Sequence, residues 1–414
     1  MTFKPLTFHR PADGAAAQFS SAPPLSLYVH LPWCVRKCPY CDFNSHAAGG
    51  ELPQGDYVAA LMRDIEADLP RVWGRPVMSV FIGGGTPSLF EPDVIAQLLS
   101  DLRARLPLLA GAEITLEANP GTLDTARLEG FRQAGVNRLS LGVQSFHDRQ
   151  LKALGRIHDA AAARRAIEVA LSTGFERVNV DLMFGLPGQD VALALADLDA
   201  ALAYDTGHVS WYQLTLEPNT VFHSHPPVLP EPDLMEAIYE AGLARLAAAG
   251  YRRYEVSAYA RPGQECRHNL NYWQFGDYLG IGAGAHGKLT LPDGILRLAK
   301  YRQPQTYMTR AGAGDAVADQ RFLSADERAF EFLLNALRLC EGFTWTQFRE
   351  RTGLPLTTIR PRLDQAAQRG LVTLDGAGAR ATERGFDLLD SVLEEFLPVA
   401  TAGSGLSREG SALA

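Results

Sequence analysis

Residues 25–46 read LSLYVHLPWCVRKCPYCDFNSH, a β-type run that leads directly into a cysteine-rich loop. Residues 25–30 are apolar, β-branched or aromatic, which predicts a buried strand. Cys34, Cys38 and Cys41 follow the strand within eight residues. Soft sulfur ligands suit iron–sulfur chemistry, so three thiolates in one loop can hold three corners of a [4Fe–4S] cluster. The fourth iron would then be free to bind a small molecule.

The cysteine loop has one other metal interpretation. Zinc needs a fourth ligand, which His30, His46 or Asp42 could supply. Zinc ligands usually come as two separated pairs rather than as a triplet, so we favour the cluster. The chain contains five cysteines, an odd number with uneven spacing, which favours a metal site in a reducing compartment over a disulfide framework.

Composition excludes several classes of protein. The 414 residues carry a formal net charge of -8, which argues against a general nucleic-acid coat with a basic surface. No apolar run is long enough to cross a membrane, and the first 24 residues lack the apolar core of a signal peptide. We therefore expect a cytoplasmic protein without a transmembrane segment and without a nucleic-acid partner.

Strand-like runs alternate with helical patterns between residues 25 and 250. The six strands are predicted at residues 25–30, 77–82, 113–117, 138–143, 177–183 and 209–216. Repeats in this order imply a parallel sheet with right-handed crossovers. Six units fall short of the eight of a closed barrel, so we expect an α/β fold built on an incomplete parallel (β/α)6 barrel with extra strands. A doubly wound sheet is the alternative.

Other regions flank the predicted barrel of residues 25–250. Residues 1–24 are rich in Ala, Pro and Ser, and residues 400–414 in Gly, Ser and Ala, so we expect a flexible arm and a disordered tail. The pattern loosens over residues 251–319, which we interpret as an extension of the barrel.

Residues 320–399 are predicted to form a small, mainly helical domain with a winged-helix-like order of elements and one last helix over residues 383–396. Pro361 is expected to disturb the helix that would read DNA, and Asp364 offsets the arginines around it. We therefore favour a packing module over DNA binding.

Polar residues gather just past the predicted strands. Residues 83–87 read GGGTP, and the glycines would let the backbone approach a ligand closely. Glu117 ends the third strand, Gln144 follows the fourth, and Asp181 belongs to the fifth. Ligand groups in barrel folds lie at the carboxyl ends of strands, so we expect these residues and the cysteine loop to share one site.

The Cys-x3-Cys-x2-Cys spacing resembles the signature of the radical S-adenosylmethionine (SAM) superfamily. The resemblance implies that the open iron binds the amino and carboxylate groups of SAM. It also implies that one electron from the cluster cleaves SAM into methionine and a 5′-deoxyadenosyl radical. Further segments resemble the oxygen-independent coproporphyrinogen III oxidase group, namely residues 27–34, 41–44, 83–87, 142–146 and 179–187. This resemblance extends from residue 25 to residue 398.

The resemblance also implies a set of residues around SAM. The residues that would flank the cluster or contact SAM are Tyr28, Tyr40, Gly84, Gly85, Thr86, Glu117, Gln144, Arg156 and Asp181. A carboxylate suits ribose hydroxyls, and an arginine suits the carboxylate of SAM. Without the resemblance, Arg156 would be taken for a surface charge.

Two departures from the oxidase resemble the heme chaperone branch of the group. Phe43 stands where the oxidase has a further cysteine, and only 24 residues precede the first predicted strand, where the oxidase has a longer tetrapyrrole-contacting segment. The branch implies a protein that binds heme and passes it to acceptor hemoproteins, such as respiratory ones, with an electron donor for its cluster. The alternatives are oxidative decarboxylation of coproporphyrinogen III by the 5′-deoxyadenosyl radical and a structural zinc protein with an interaction module.

Residues 268–273 read HNLNYW, which is similar to the His-Asn-x-x-Tyr-Trp motif of that branch. His268 could ligate heme iron, and Tyr272 and Trp273 could pack on the macrocycle, with Cys266 two residues before the motif. The open alternative is a buried, hydrogen-bonded histidine among core aromatics. The sequence has no Cys-x-x-Cys-His, which excludes conventional c-type attachment.

Overall fold

The protein was analysed as a computed structural model, which describes Phe19 and residues 21–398. Most of the predicted arm and all of the predicted tail, residues 400–414, therefore lie outside the described residues. The described end of the arm is held to the fold. The Pro23 carbonyl accepts a hydrogen bond from Arg75 Nη2 at 2.7 Å, and the Pro24 carbonyl accepts one from the Asp277 amide at 3.0 Å.

The first half of the chain alternates strands and helices. Its strands are β1 (Leu25–Leu31), β2 (Trp33–Cys34), β3 (His46–Ala47), β4 (Val77–Gly84), β5 (Leu108–Ala118), β6 (Arg138–Gln144), β7 (Arg177–Phe184) and β8 (Gly207–Gln213). Its helices are α1 (Gln54–Val72), α2 (Pro92–Arg105), α3 (Thr125–Ala134), α4 (Asp148–Ala153), α5 (Ala160–Thr173), α6 (Val191–Leu202), α7 (Val221–Ser224) and α8 (Pro232–Ala248). The six predicted strands are present as β1 and β4–β8, whereas β2, β3 and α7 are additional elements that the sequence did not predict.

Strands β1 and β4–β8 are parallel and adjacent in chain order. This order never reverses, so the sheet lacks the switch point of a doubly wound fold, and that alternative is wrong. Right-handed crossovers then place the connecting helices on one face of the sheet, where the main apolar core lies.

Residues 252–322 add further strands to the same sheet. They are β9 (Arg252–Glu255), β10 (Ala258–Ala260), β11 (Asp277–Ile281), β12 (His286–Leu291), β13 (Gly294–Lys300) and β14 (Val317–Phe322), with helices α9 (Arg267–Trp273) and α10 (Pro304–Gly312) between them. The twelve-stranded order is β14-β13-β12-β11-β1-β4-β5-β6-β7-β8-β10-β9. Strand β11 pairs with β1 in parallel, so the parallel part has one strand more than the six predicted. The other added strands are antiparallel.

Alternate residues of the parallel strands face opposite sides of the sheet, as a period of two requires. In β1, Leu27 belongs to the core beneath the helices, while Tyr28 and His30 face the opposite side, called here the inner face. Tyr212 of β8 donates to Gln144 of β6 at 2.7 Å, although β7 lies between the two strands. Inner-face side chains of strands that are not direct neighbours are therefore within reach of one another.

The last part of the chain forms a small second sheet with helices. Its elements are α11 (Ala325–Ala336), β15 (Phe343–Thr344), α12 (Trp345–Thr352), α13 (Arg360–Gln368), β16 (Val372–Leu374), β17 (Gly378–Ala381), α14 (Glu383–Asp387) and α15 (Leu389–Glu394). The order of helix, strand, two helices and hairpin is winged-helix-like. Its apolar core also takes in Phe275 and Ile295 from the preceding region, so this part packs directly on the large sheet.

Two sequence predictions for this part are wrong. Pro361 occupies the first turn of α13, where its missing N–H would be unpaired in any case, so the helix is undisturbed. The single last helix is divided at Leu388 into α14 and α15. Every helix among the described residues is too short or too polar to cross a membrane.

Candidate cofactor site at the carboxyl end of the strands

The cysteine loop begins where β1 ends and is closed by the pairing of β2 with β3. The amide of Cys41 donates to the carbonyl of Cys38 at 3.2 Å, and Cys34, Cys38 and Cys41 are all half-buried free thiols. Burial raises the pKa of the Cys34 thiol, and the neighbouring Cys41 and Cys38 raise it further against a hydrogen bond with Thr86. A bound metal centre reverses this preference, because it holds its cysteine ligands as thiolates.

The set of sulfur donors fits an iron–sulfur cluster. Among the described residues, no three His, Cys, Asp or Glu side chains converge as ligands of a single metal ion. A [4Fe–4S] cluster makes a different demand, because each of its thiolates binds a different iron. Three thiols in one half-buried loop meet that demand and leave one iron for another ligand.

A glycine segment lies against the cysteine loop. A side chain at Gly84 would place its Cβ 2.5 Å from the ring of His30, and one at Gly85 would place it 2.5 Å from the carbonyl oxygen of Trp33. Gly84 also has a φ of 116°, which L side chains rarely adopt. Its amide donates to Glu117 Oε2 at 3.1 Å. The two glycines therefore let this segment pack directly against His30 and against the start of the cysteine loop.

Two carboxyl groups face each other from β5 and β7. Burial and, next, the charge of Asp181 raise the pKa of Glu117 to about 7, against the hydrogen bond from the Gly84 amide. Asp181 accepts hydrogen bonds from Asn179 Nδ2 at 2.7 Å and from Ser140 Oγ at 3.1 Å. Burial also raises the pKa of Asp181. Both carboxyl groups are therefore held in place as hydrogen-bond acceptors. Their ionisation is unfavourable unless further hydrogen-bond donors approach them.

Gln144 has an unusual backbone conformation at the end of β6. The pairing of β6 with β7 shifts register between Gly142 and Gln144, and Gln144 has a φ of 71°. A bulge of this kind re-aims a side chain, and backbone strain in a non-glycine residue is common at binding sites. The side-chain oxygen accepts the Tyr212 hydroxyl at 2.7 Å.

Arg156 lies in the site and is not a surface charge. Its Nη2 donates to the Gly142 carbonyl at 2.6 Å, and its Nη1 lies 3.7 Å from Cys38 Sγ and 3.5 Å from the Tyr40 hydroxyl. Its Nε is buried without a hydrogen-bond partner among the described residues. Arg156 therefore links the cysteine loop to β6.

Other polar residues that follow the strands stabilise the fold and do not belong to the candidate site. Ser145 Oγ donates to both carboxylate oxygens of Asp197 at 2.9 and 3.1 Å, and the Phe146 amide donates to the same group at 2.6 Å. Asn119 accepts from the Gly121 amide at 3.0 Å. These residues follow strands as predicted, but they hold strand–helix connections together.

The predicted heme ligand lies at the opposite end of the strands, on α9. His268 is 9% exposed, its Nδ1 lies 3.2 Å from Ser79 Oγ, and burial lowers its pKa to about 3. The His268 amide and the Cys266 thiol both donate to Glu113 Oε1, at 3.3 and 3.4 Å. The Tyr28 ring is 6.5 Å from the His268 ring, so Tyr28 separates this end from the cysteine loop.

The aromatic residues of the HNLNYW segment pack toward the C-terminal part of the chain. The Tyr272 ring lies 5.1 Å from the Tyr278 ring, and the Tyr272 carbonyl accepts from Asn335 Nδ2 at 3.3 Å. The Arg338 guanidinium lies 4.4 Å from the Trp273 ring. The segment therefore lies between the large sheet and the C-terminal helices.

Sequence reasoning missed several residues that support the site. Tyr212 positions Gln144, Ser140 and Asn179 hold Asp181, and His30 lies beneath Gly84. The sequence did contain a signal for them, because polar residues alternate with apolar ones in these strands. A parallel strand with apolar groups on both faces would be apolar at every position. Such alternation in a parallel strand marks a polar inner face.

Comparisons with known proteins agree with this geometry. Residues 28–199 match the radical SAM superfamily, and residues 323–388 match the HemN C-terminal domain. The heme chaperone HemW of Escherichia coli strain K12 is 52% identical over 376 residues, which cover 91% of this chain and 98% of that protein. The chain belongs to the HemW heme chaperone family.

Two further proteins are similar to this chain over most of its length. The mitochondrial radical S-adenosyl methionine domain-containing protein 1 of Bos taurus is 40% identical to this chain. The match covers 94% of this chain and 91% of the bovine protein. The solved structure of coproporphyrinogen III oxidase (HemN) from Escherichia coli superposes with a TM-score of 0.77 at 24% identity, covering 91% of this chain and 90% of that one. HemW proteins and that oxidase therefore share a fold.

Proposed function

We propose that this protein is a heme chaperone that binds heme and passes it to acceptor hemoproteins, on a scaffold that holds a [4Fe–4S] cluster and SAM. The observation that carries the proposal is the 52% identity with Escherichia coli HemW over 91% of the chain. Phe43 supports it against the oxidase alternative, because a phenyl ring, 41% exposed, stands two positions past the third cysteine. A phenyl ring cannot take over the function of a sulfur atom.

Cys34, Cys38 and Cys41 are the proposed cluster ligands. When bound, the cluster would supply one electron and an open iron for the amino and carboxylate groups of SAM. Arg156 would pair with the SAM carboxylate, which the position of its guanidinium beside Cys38 supports. Glu117 would accept the ribose hydroxyls.

The remaining proposed SAM residues shape the same site. Gly84, Gly85 and Thr86 offer a backbone approach beside the loop, and Tyr28 and Tyr40 flank it. Two polar residues complete the set, namely Gln144 and Asp181. Each of them is already oriented by a hydrogen bond from its own chain, so binding of SAM would cost little reorganisation.

The heme site at His268, Tyr272, Trp273 and Cys266 stays a prediction. His268 would need its Nε2 to reach the iron, and the ring is enclosed by α9 and the strands. The segment that carries His268 is also held to Glu113, which accepts two hydrogen bonds from it.

We propose acceptor hemoproteins, such as respiratory ones, and an electron donor for the cluster as partners. We further propose the cytoplasm as the location. The five cysteines are unpaired, which fits a reducing compartment.

The proposal is tested with the reconstituted protein under anaerobic conditions. Given SAM, reductant and coproporphyrinogen III, it should form no protoporphyrinogen, and the same preparation should bind hemin. Product that accumulates over many turnovers would establish the oxidase instead. If neither product nor hemin binding appears, the protein acts on a different substrate.

A further inference from the structure

Asn179 stands two positions before Asp181 on β7, and its amide group holds the Asp181 carboxyl group. The Asn179 Nδ2 donates to Asp181 Oδ1 at 2.7 Å and to Ser140 Oγ at 2.8 Å. Because Ser140 Oγ accepts from the amide, its own hydrogen is free for Asp181 Oδ2, which lies 3.1 Å away. One amide group therefore sets both hydrogen bonds to the Asp181 carboxyl group.

The effect of Asn179 depends on the orientation of its amide group. In the reverse orientation, Asn179 Oδ1 would face the Asp181 carboxylate, and two acceptor oxygens at such a distance repel each other. Ser140 Oγ would then donate to Asn179 and would lose its hydrogen bond to Asp181. The orientation of the amide therefore decides whether Asp181 is held in place.

His208 of β8 contacts the oxygen of this amide group. Its Nδ1 lies 2.6 Å from Asn179 Oδ1, and Ser210 Oγ donates to the same oxygen at 3.1 Å. A serine hydroxyl can donate or accept and would serve either orientation, whereas a ring nitrogen that carries hydrogen only donates. His208 is therefore the contact that selects the orientation in which Asn179 donates to Asp181.

The imidazole of His208 is neutral, and one tautomer satisfies both of its contacts. The residue is 2% exposed, and burial lowers its pKa well below the usual value, followed by the charges of Arg138 and Arg177. The Tyr254 hydroxyl lies 2.9 Å from Nε2. A neutral ring that donates from Nδ1 keeps a lone pair on Nε2, and this lone pair accepts the Tyr254 hydrogen.

We propose that His208 is a positioning residue for SAM binding, which acts through Asn179 to hold Asp181 as an acceptor for SAM. The inference rests on the proposed SAM site and adds a residue that lies two side chains away from the ligand. His208 donates to Asn179, Asn179 donates to Asp181, and the carboxyl group keeps further lone pairs for donors of the ligand. An acceptor held in this way needs little reorganisation when SAM binds.

Calorimetric titration of the full-length reconstituted protein with SAM tests the inference. His208→Phe keeps a ring and removes the donor, so it should weaken SAM binding by about tenfold or more, with iron and sulfide unchanged. His208→Leu should show the same loss. His208→Asn offers its Nδ2 in place of the ring Nδ1 and should bring the affinity back to within about threefold of the wild type.

Val209→Ala is the matched control for stability. Val209 is the next residue of β8 and belongs to the apolar core on the opposite face of the sheet, so this variant should unfold at a lower denaturant concentration. Its SAM affinity under native conditions should stay within about twofold of the wild type, because it contacts neither Asn179 nor Asp181. The control therefore separates a general loss of stability from a loss of positioning.

A double-mutant cycle shows whether His208 acts through Asp181. In the Asp181→Ala background, adding His208→Phe should change SAM affinity by less than about twofold, because the group that His208 positions is gone. Additive losses in the cycle would mean that His208 acts on SAM by another route and would overturn the inference.

Two further outcomes would overturn the inference and leave the proposed function standing. The first is a wild-type SAM affinity in both His208→Phe and His208→Leu. The second is a His208→Asn variant that binds SAM as weakly as His208→Phe. A wild-type protein that binds no SAM would remove the proposed SAM site together with the inference, whereas hemin binding by the same preparation decides the chaperone function separately.

Discussion

The two ends of the parallel strands differ in how their polar groups find partners. At the carboxyl end, burial raises the pKa of both Glu117 and Asp181, and together with the charge of Asp181 it brings that of Glu117 to about 7. At the amino end, Glu113 accepts from α9, and Asn271 Nδ2 donates to both Ser26 Oγ and the Asp277 carbonyl, each at 2.9 Å.

The difference separates a ligand site from a structural closure. Buried acids that are costly to ionise are tolerated where a ligand will satisfy them. Side chains that already bond one another have little left to offer a ligand and instead hold α9 to the sheet. Substitutions at the two ends should therefore affect different properties, ligand content at one and stability at the other.

The largest expected effect is loss of the cluster. Replacing Cys34, Cys38 or Cys41 by Ala should abolish bound iron and sulfide and the visible charge-transfer absorbance, because three thiolates are the whole proposed protein ligand set. Iron and sulfide are measured after anaerobic reconstitution. Cys340→Ala is the control, since Cys340 lies just after α11 in the C-terminal part and should leave the cluster intact. Full iron and sulfide in the three loop variants would refute the assignment.

The amino end should respond through stability. Glu113→Ala removes a buried carboxylate that pairs with Arg177 at 3.4 Å and accepts from α9, so it should lower the free energy of unfolding by about 3–5 kcal/mol. Denaturant unfolding measures this change, and SAM affinity under native conditions should stay within about twofold. Glu129→Ala, an exposed change on α3, should cost less than about 0.5 kcal/mol. A large loss of SAM affinity without loss of stability in Glu113→Ala would remove the distinction between the ends.

The carboxyl end should respond through SAM. Arg156→Ala and Asp181→Ala should each weaken SAM binding by roughly one to two orders of magnitude, since a charge-assisted hydrogen bond contributes about 1.5–3 kcal/mol. Calorimetry on the reconstituted variants gives the affinity, and iron content should stay near normal because these side chains hold the ligand. Unchanged affinity in both variants would place SAM elsewhere.

The smallest effect is a pH dependence that arises from Glu117. Burial raises its pKa to about 7, so the folded protein carries the neutral carboxyl below that pH and the carboxylate above it. Hydroxyl donors favour the carboxylate, so SAM affinity should fall as the pH drops below 7, by at most about tenfold per pH unit. Glu117→Gln, which keeps an acceptor oxygen but does not titrate, should flatten the profile between pH 6 and 8. An unchanged slope in this variant would assign the titration to another group.

The parallel strands and the cysteine loop could be predicted because their signals are local. Apolar runs of strand length recur with helical patterns between them, and the cysteines fall within eight residues. Strand β11 was missed because its partner β1 lies some 250 residues earlier in the chain, and periodicity carries no information about such pairing. Pro361 was misjudged because its effect depends on where the helix begins.

The candidate site could be predicted only in part for a related reason. The cysteines and glycines carry spacing, but the position of Arg156 beside Cys38 depends on how two loops pack, and only the family resemblance pointed to it. The contact of Tyr212 with Gln144 depends on a register shift in β6 and on two side chains that meet across β7. The enclosure of His268 depends in the same way on where α9 packs.

Delivery of heme tests the central claim most directly. The full-length protein is loaded with hemin, freed of excess ligand and mixed with an apo-hemoprotein, and the Soret bands of donor and acceptor are followed in time. We predict that the acceptor gains heme as the donor loses it, faster than it takes up the same amount of hemin from albumin. Heme that stays on the donor, or that reaches the acceptor no faster than from albumin, would contradict the account.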